Sequence, residues 1–130
     1  MFVDSSVVIA ILSKEDDAEH FLEQLYGAVG RCTSPLVVLE ATMRLTSKMR
    51  VDPIEAEAAV EGFLERAAID IVPIEEADGR LAVQAFREHG KGRGHPAQLN
   101  LADCLSYACA KNRGMPLLYK GEDFARTDLA

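Results

Sequence analysis

Tryptophan is absent from the 130-residue chain and aromatic residues make up only 6% of it. No platform on which nucleic-acid bases would stack can therefore be named from the sequence. Cysteine is scarce too: Cys32, Cys104 and Cys109 are an odd number without paired ligand spacing. That disfavours a disulfide framework and a zinc site, and fits reduced thiols in a reducing compartment. No apolar run approaches the roughly 20 residues of a membrane span. Asp4 and Lys14-Glu15-Asp16-Asp17 interrupt any signal-peptide core, so the expectation is a cytoplasmic protein without a membrane partner. Positive charge is in deficit, with 14 Lys and Arg against 21 Asp and Glu and a net charge of −7. That balance argues against a non-specific nucleic-acid binder, which carries a basic stripe. The deficit is uneven, however. Arg44, Lys48 and Arg50 follow Glu40, and Lys91, Arg93 and His95 cluster in one Gly-rich stretch. Local cations of this kind can guide a phosphate chain in spite of the total.

What is present is ordinary for a globular protein: 48% hydrophobic and 27% charged residues, in a length suited to one core. Strands are expected at Phe2–Asp4, Arg31–Thr33, Ile69–Ile74 and Leu117–Tyr119. Helices are expected over Val7–Leu12 with Ser5 or Ser6 as cap, Asp16–Ala28, from Pro35 with Ser34 as cap, and from Pro53 to Ala67 with Asp52 as cap. Two more span Glu75–His89 and Asn100–Asn112, and Gly90–Gln98 reads as a flexible loop. On the helix after Pro35, Leu36, Leu39, Met43 and Thr46 share a face. Leu81, Val83, Ala85 and Phe86 supply the apolar side of the helix over Glu75–His89. Strands alternating with helices predict one α/β domain over residues 1–130: a short, mostly parallel sheet flanked by helices on both faces.

Four carboxylates stand where these elements begin, end or turn: Asp4, Glu40, Asp103 and Asp123. A single Asp or Glu is ordinarily a solvated surface group. Asp103 also suits a helix N-terminus, and Asp123 suits a turn beside Gly121. Glu75, Glu76, Asp16 and Asp17 read as surface groups at helix starts. Asp4, between Phe2-Val3 and Val7-Val8-Ile9, and Glu40, between Val38-Leu39 and Ala41, are harder to dismiss. Carboxylates in apolar surroundings are costly unless paired or metal-bound, and no Lys or Arg stands at an obvious spacing. Two carboxylates about 4 Å apart repel by roughly 4 kcal/mol at an effective dielectric near 20. Four converging would therefore take up protons or recruit a hard divalent cation, Mg²⁺ or Mn²⁺. Such a cation suits phosphoryl displacement by an activated water. His20 and His89 lie in amphipathic helices and read as structural, and His95 sits before Pro96 in the loop.

The stretches around these acids resemble the PIN-domain family, and within it the VapC toxins of type II toxin–antitoxin pairs. The matching pieces are Met1-Phe2-Val3-Asp4-Ser5-Ser6, Ser34-Pro35-Leu36-Val37-Val38-Leu39-Glu40, Leu99-Asn100-Leu101-Ala102-Asp103-Cys104-Leu105-Ser106-Tyr107-Ala108 and Leu117-Leu118-Tyr119-Lys120-Gly121-Glu122-Asp123-Phe124-Ala125-Arg126-Thr127-Asp128. The loop Gly92-Arg93-Gly94-His95-Pro96-Ala97-Gln98 is similar as well. The resemblance implies a Mg²⁺-dependent endoribonuclease, with Mn²⁺ as a substitute. Its acidic residues fall on Asp4, Glu40, Asp103 and Asp123, supported by Ser5, Ser6 and Asn100. Asp4 and Asp103 are the expected direct ligands, and Glu40 and Asp123 are expected to act through water. Glu122 and Asp128 compete with Asp123 for the fourth position. Arg44, Lys91, Arg93 and His95 are the candidates for RNA contact. The resemblance further implies a homodimer and a VapB-type antitoxin that wraps the protein, for which Leu22, Leu25 and Tyr26 are expected to offer exposed apolar surface.

Two other readings fit parts of the same sequence. A phosphatase or phosphoacceptor domain also ends its first strand on an Asp, but needs a second acid two residues on, where Ser6 stands. A regulatory binding module keeping the fold without cleavage is the non-enzymatic alternative.

Overall fold

Strand β1 (Phe2–Val3) is two residues long, and both are fully buried. Successive strand residues point to opposite faces, so the sheet is covered on both sides where β1 runs. The computed structural model describes residues 1–130. After β1 come α1 (Ser5–Leu12), α2 (Ala18–Gly27), β2 (Cys32–Thr33), α3 (Pro35–Met49), α4 (Pro53–Arg66), β3 (Asp70–Ile71), α5 (Glu76–His89), α6 (Leu101–Asn112) and β4 (Leu117–Leu118). The sheet order is β3-β2-β1-β4 and every pairing is parallel, with Phe2 opposite both Cys32 and Leu117. All strand carboxyl ends therefore lie at one edge of the sheet. One cluster of 30 buried residues forms the core.

Local chemistry sets the helix starts. Ser34 accepts from the Val37 amide at 3.3 Å and Pro35 follows it, while Asp52 accepts from the Ile54 amide at 2.8 Å ahead of Pro53. Each such cap is worth about 1 kcal/mol. At α1 the cap is Asp4 rather than the expected Ser5 or Ser6: its carboxylate accepts from the Ser6 amide at 3.1 Å, and the helix begins two residues early.

Several expected faces are turned. In α3 the buried residues are Val37, Ala41 and Leu45, whereas Leu39 and Met43 are exposed. In α5, Asp78, Ala82 and Ala85 are buried, while Val83 and Phe86 are exposed. Leu25, expected at the surface, is fully buried; Tyr26 is exposed. β3 is shorter than the expected Ile69–Ile74 and lies at the sheet edge.

The stretch from 90 to 99 is a closed loop. The Lys91 amide donates to Leu99 O and the Leu99 amide to His89 O, both at 2.9 Å. Gly92 and Gly94 turn it with φ of 82° and 78°, a region open to glycine at little cost. His95 is engaged at its foot: its Nδ1 accepts from the Ala97 amide at 3.0 Å and its ring meets His89 edge-on, centroids 4.7 Å apart.

Asp78, a residue without a sequence signal of its own, is a buried structural node. It receives Asn112 at 3.0 Å, Arg113 at 3.1 and 3.3 Å, and the Glu75 amide at 2.9 Å. Burial alone would raise its pKa; these donors outweigh that and hold it below the usual carboxylate value. The three cysteines are buried and free. No helix is long and apolar enough to cross a membrane.

Candidate active site

A cleft of about 280 Å³ opens at the carboxyl edge of the sheet. It is lined by Asp4, Glu40, Asp103 and Asp123, with Ser5, Ser6, Asn100, Glu15, Arg44 and Lys120 between them. Each acid comes from a different segment: the end of β1, the second turn of α3, the first turn of α6, and the chain after β4. Parallel strands deliver β1 and β4 to the same edge, which is where open α/β sheets gather their binding groups.

Asp4 is 3% exposed. Its Oδ2 accepts from the Ser6 amide at 3.1 Å and the Ser6 hydroxyl at 2.7 Å. Its Oδ1 is buried without a partner. The Ser6 oxygen in turn accepts from the Lys120 amide at 2.9 Å, tying the chain after β4 to Asp4. Ser5 donates its hydroxyl to Glu40, fixing an α3 carboxylate to the start of α1. Asp103 and Asn100 form a reciprocal cap: Asn100 Oδ1 accepts from the Asp103 amide at 2.9 Å, and Asp103 Oδ2 accepts from the Asn100 amide at 3.1 Å. This cap aims Asp103 back over the helix start and into the cleft.

Electrostatics show that the acids sense one another. Burial pushes Asp103 up to about 7; the Asn100 amide opposes this, and the charges of Asp4, Asp123 and Glu40 add to it. The site thus holds more negative charge than its donors offset. At its rim, Lys48 and Lys120 bond to Glu15, and Lys120 also reaches Asp17 at 3.0 Å. Hydrogen bonds from Lys120 and then Lys48 pull Glu15 down to about 2. Glu15, Asp17 and Lys120 are not among the sequence candidates. Lys120 lies more than 100 residues from both acids, and no spacing reveals such a pairing.

The three competing acids differ in position, and only Asp123 lines the cleft. Asp128 accepts from Tyr107 Oη at 2.6 Å and pairs with Lys111, away from the cleft lining. Glu122 is exposed and does not line it either. Of the basic candidates, Arg44 lines the cleft. Lys91, Arg93 and His95 do not: Lys91 borders a separate apolar groove between α5 and α6, and Arg93 lies over the Phe86 ring at 5.8 Å.

Four carboxylates and two hydroxyls make an oxygen-only donor set suited to a hard cation. The side chains line the cleft without closing on one point: no three His, Cys, Asp or Glu side chains meet as a ready-made metal cluster. Mg²⁺ keeps several waters and needs only one or two carboxylates plus substrate oxygens, so the chemistry of this donor set fits it. The unpartnered Asp4 Oδ1 and the raised Asp103 are the two groups that a cation would most relieve.

Residues 1–129 match the PIN domain. Among similar proteins, a VapC ribonuclease of Rhizobium meliloti is 42% identical over 98% of this chain and 98% of its own length. Ribonuclease VapC28 of Mycobacterium tuberculosis is 44% identical over 98% of this chain and 93% of its own. In fold, the chain is similar to a toxin–antitoxin complex from Klebsiella pneumoniae, with a TM-score of 0.72 at 18% identity, covering 98% of this chain and 92% of that one. It is likewise similar to M. tuberculosis VapC20, a Sarcin-Ricin loop cleaving toxin, with a TM-score of 0.70 at 18% identity over 95% and 92% of the two chains. The likeness runs from end to end at an identity that fixes kinship, and the chain belongs to the PIN-domain family, among its VapC ribonucleases.

Proposed function

We propose that the protein is the toxin of a type II toxin–antitoxin pair, an endoribonuclease that hydrolyses RNA phosphodiester bonds at the Asp4, Glu40, Asp103 and Asp123 cleft with Mg²⁺ or Mn²⁺. The observation that carries this reading is Asp103: a buried carboxyl raised to about 7 in part by the three other acids of one small cleft. Perturbed carboxyls facing one cleft mark functional sites.

Asp4 and Asp103 are the residues that would hold the cation, Asp4 through its free Oδ1. When bound, the ion offsets phosphate charge and lowers the pKa of a water. The chain's own groups do the remainder. Ser6 and the Lys120 amide keep Asp4 in one rotamer, and Asn100 does so for Asp103. Glu40, steered by Ser5, and Asp123 at the open side accept hydrogen bonds from the attacking water and orient it toward phosphorus. Arg44 receives the charge of a bound phosphate.

Inhibition by a VapB-type antitoxin and a homodimeric state are part of the same proposal. The exposed Tyr26, Leu39 and Met43, and the α5–α6 groove with Val83, Phe86 and Leu101, offer the apolar surface such partners need. Three free cysteines fit a cytoplasmic setting. The test uses purified protein freed of any partner, incubated with single-stranded and structured RNA in Mg²⁺, Mn²⁺ or chelator. Cleavage that needs the ion and is lost in Asp4→Asn is expected. Equal cleavage in chelator, or by the variant, contradicts the proposal.

A further inference from the structure

Helix α3 carries Glu40, Arg44 and Lys48 at four-residue intervals. Residues four apart lie on the same helix face, each step advancing about 6 Å along the axis. The stripe starts at the carboxylate cleft with Glu40 and leads away from it through two cations. A second hollow of about 650 Å³ continues the cleft in that direction, sharing Ile9, Glu15 and Arg44 with it and adding Ser47 and Lys48. Arg44 pairs with no carboxylate, whereas five of the chain's other cations do: Lys48, Arg80, Lys111, Arg113 and Lys120. Lys48 is paired with Glu15 but keeps 46% of its side chain in solvent. Its partner Glu15 is shared with Lys120, so Lys48 has charge to spare for an incoming anion.

We propose that Arg44, Ser47 and Lys48 form a binding track for successive phosphates of the RNA strand beside the bond being cut. The strand runs from the cleft along α3, and not over the 90–99 loop with Lys91, Arg93 and His95. The continuity of the two hollows, with Arg44 lining both at their junction, carries this choice. Neither Lys91, Arg93 nor His95 lines either hollow. This inference rests on the ribonuclease reading above and adds the path of its substrate.

The test is the salt dependence of kcat/KM on a single-stranded RNA oligonucleotide with Mg²⁺. Each phosphate contact on single strands adds about 0.7 to the slope of log affinity against log salt, or about fivefold at 0.1 M. The Arg44→Gln/Lys48→Met double variant is expected to lower that slope by about 1.4 and raise KM about 25-fold. Lys48→Arg is expected to behave as the parent. Lys48→Met alone is expected to lower the slope by about 0.7, and Lys48→Met/Glu15→Gln, which removes the paired carboxylate together with the cation, to show the same loss. Lys91→Met/Arg93→Gln is expected to leave slope and KM unchanged. An unchanged slope in the α3 double variant, or a defect confined to the loop variant, overturns the track alone. A parent protein that cuts no RNA overturns the ribonuclease reading instead.

Discussion

Replacing Asp103 by Asn removes a charge that the fold tolerates poorly, so at high pH and without divalent cation the variant is predicted to be more stable than the parent. Asp103 has an ordinary pKa of 3.8 and sits at about 7 in the folded chain. The gap of about three pH units corresponds to about 4 kcal/mol at 1.36 kcal/mol per unit. The sign follows from proton binding. Between pH 4 and 7 the folded state holds the proton and the unfolded state does not, so stability is fullest below pH 4 and falls as pH rises through 7. The amide of the variant cannot titrate and escapes this loss. It keeps the carbonyl that accepts from the Asn100 amide at 3.1 Å, but brings a buried NH₂ costing about 2 kcal/mol if unpaired. The net expectation is a gain of about 2 kcal/mol at pH 8, near 8 °C in melting temperature, turning into a loss of similar size at pH 4. Thermal melts of both proteins from pH 4 to 8 in chelator check this. Added Mg²⁺ at pH 8 is expected to raise the parent's melting temperature more than the variant's, by mass action on the folded state. A difference between the two proteins that is constant across pH would refute the reasoning, because the Asp103 carboxyl would then not be raised by its burial and the acids beside it.

Two further outcomes follow from geometry. Asp123→Asn is expected to reduce RNA cleavage by at least about 100-fold, whereas Glu122→Gln and Asp128→Asn stay within about threefold, since only Asp123 lines the cleft. Steady-state rates on one RNA decide it, and an inactive Asp128→Asn protein with normal melting would reverse the assignment. Asp78→Ala is expected to destabilise the fold by about 3 kcal/mol, measured by urea unfolding, because it strands Arg113 and Asn112 and opens the α5 cap. A change below about 0.5 kcal/mol would contradict the role of that node.

The sequence made the helix starts legible where the signal is local and redundant. Ser34-Pro35 and Asp52-Pro53 each combine a capping side chain with a proline, and both helices begin there. Asn100 with Asp103 three residues on likewise marks the start of α6. Faces were harder. Leu36, Val37, Val38 and Leu39 are consecutive and apolar, so periodicity cannot say which side of α3 meets the core; the packing of α1 and α4 decides for Val37, Ala41 and Leu45. At α1 the serines read as caps, yet Asp4 takes that role because its carboxylate is already positioned by the end of β1. The four acids were legible through their placement at element boundaries and through the resemblance. Asp78 was not, because an acid in the first turn of a helix reads as solvated until Arg113, 35 residues on, is seen to cover it. The Glu15–Lys120 pair was hidden for the same reason: it is a product of tertiary packing alone.

The most direct measurement is the titration of Mn²⁺ into the purified protein at pH 8, followed by the loss of the free-ion EPR signal. Binding is predicted for the parent, weakened by at least about tenfold in Asp4→Asn and in Asp103→Asn, and weakened progressively as pH falls below 7, because the cation must displace the proton on Asp103. Equal binding by the parent and both variants, or a parent that cleaves RNA while taking up no ion, would contradict a metal centre built on this cleft.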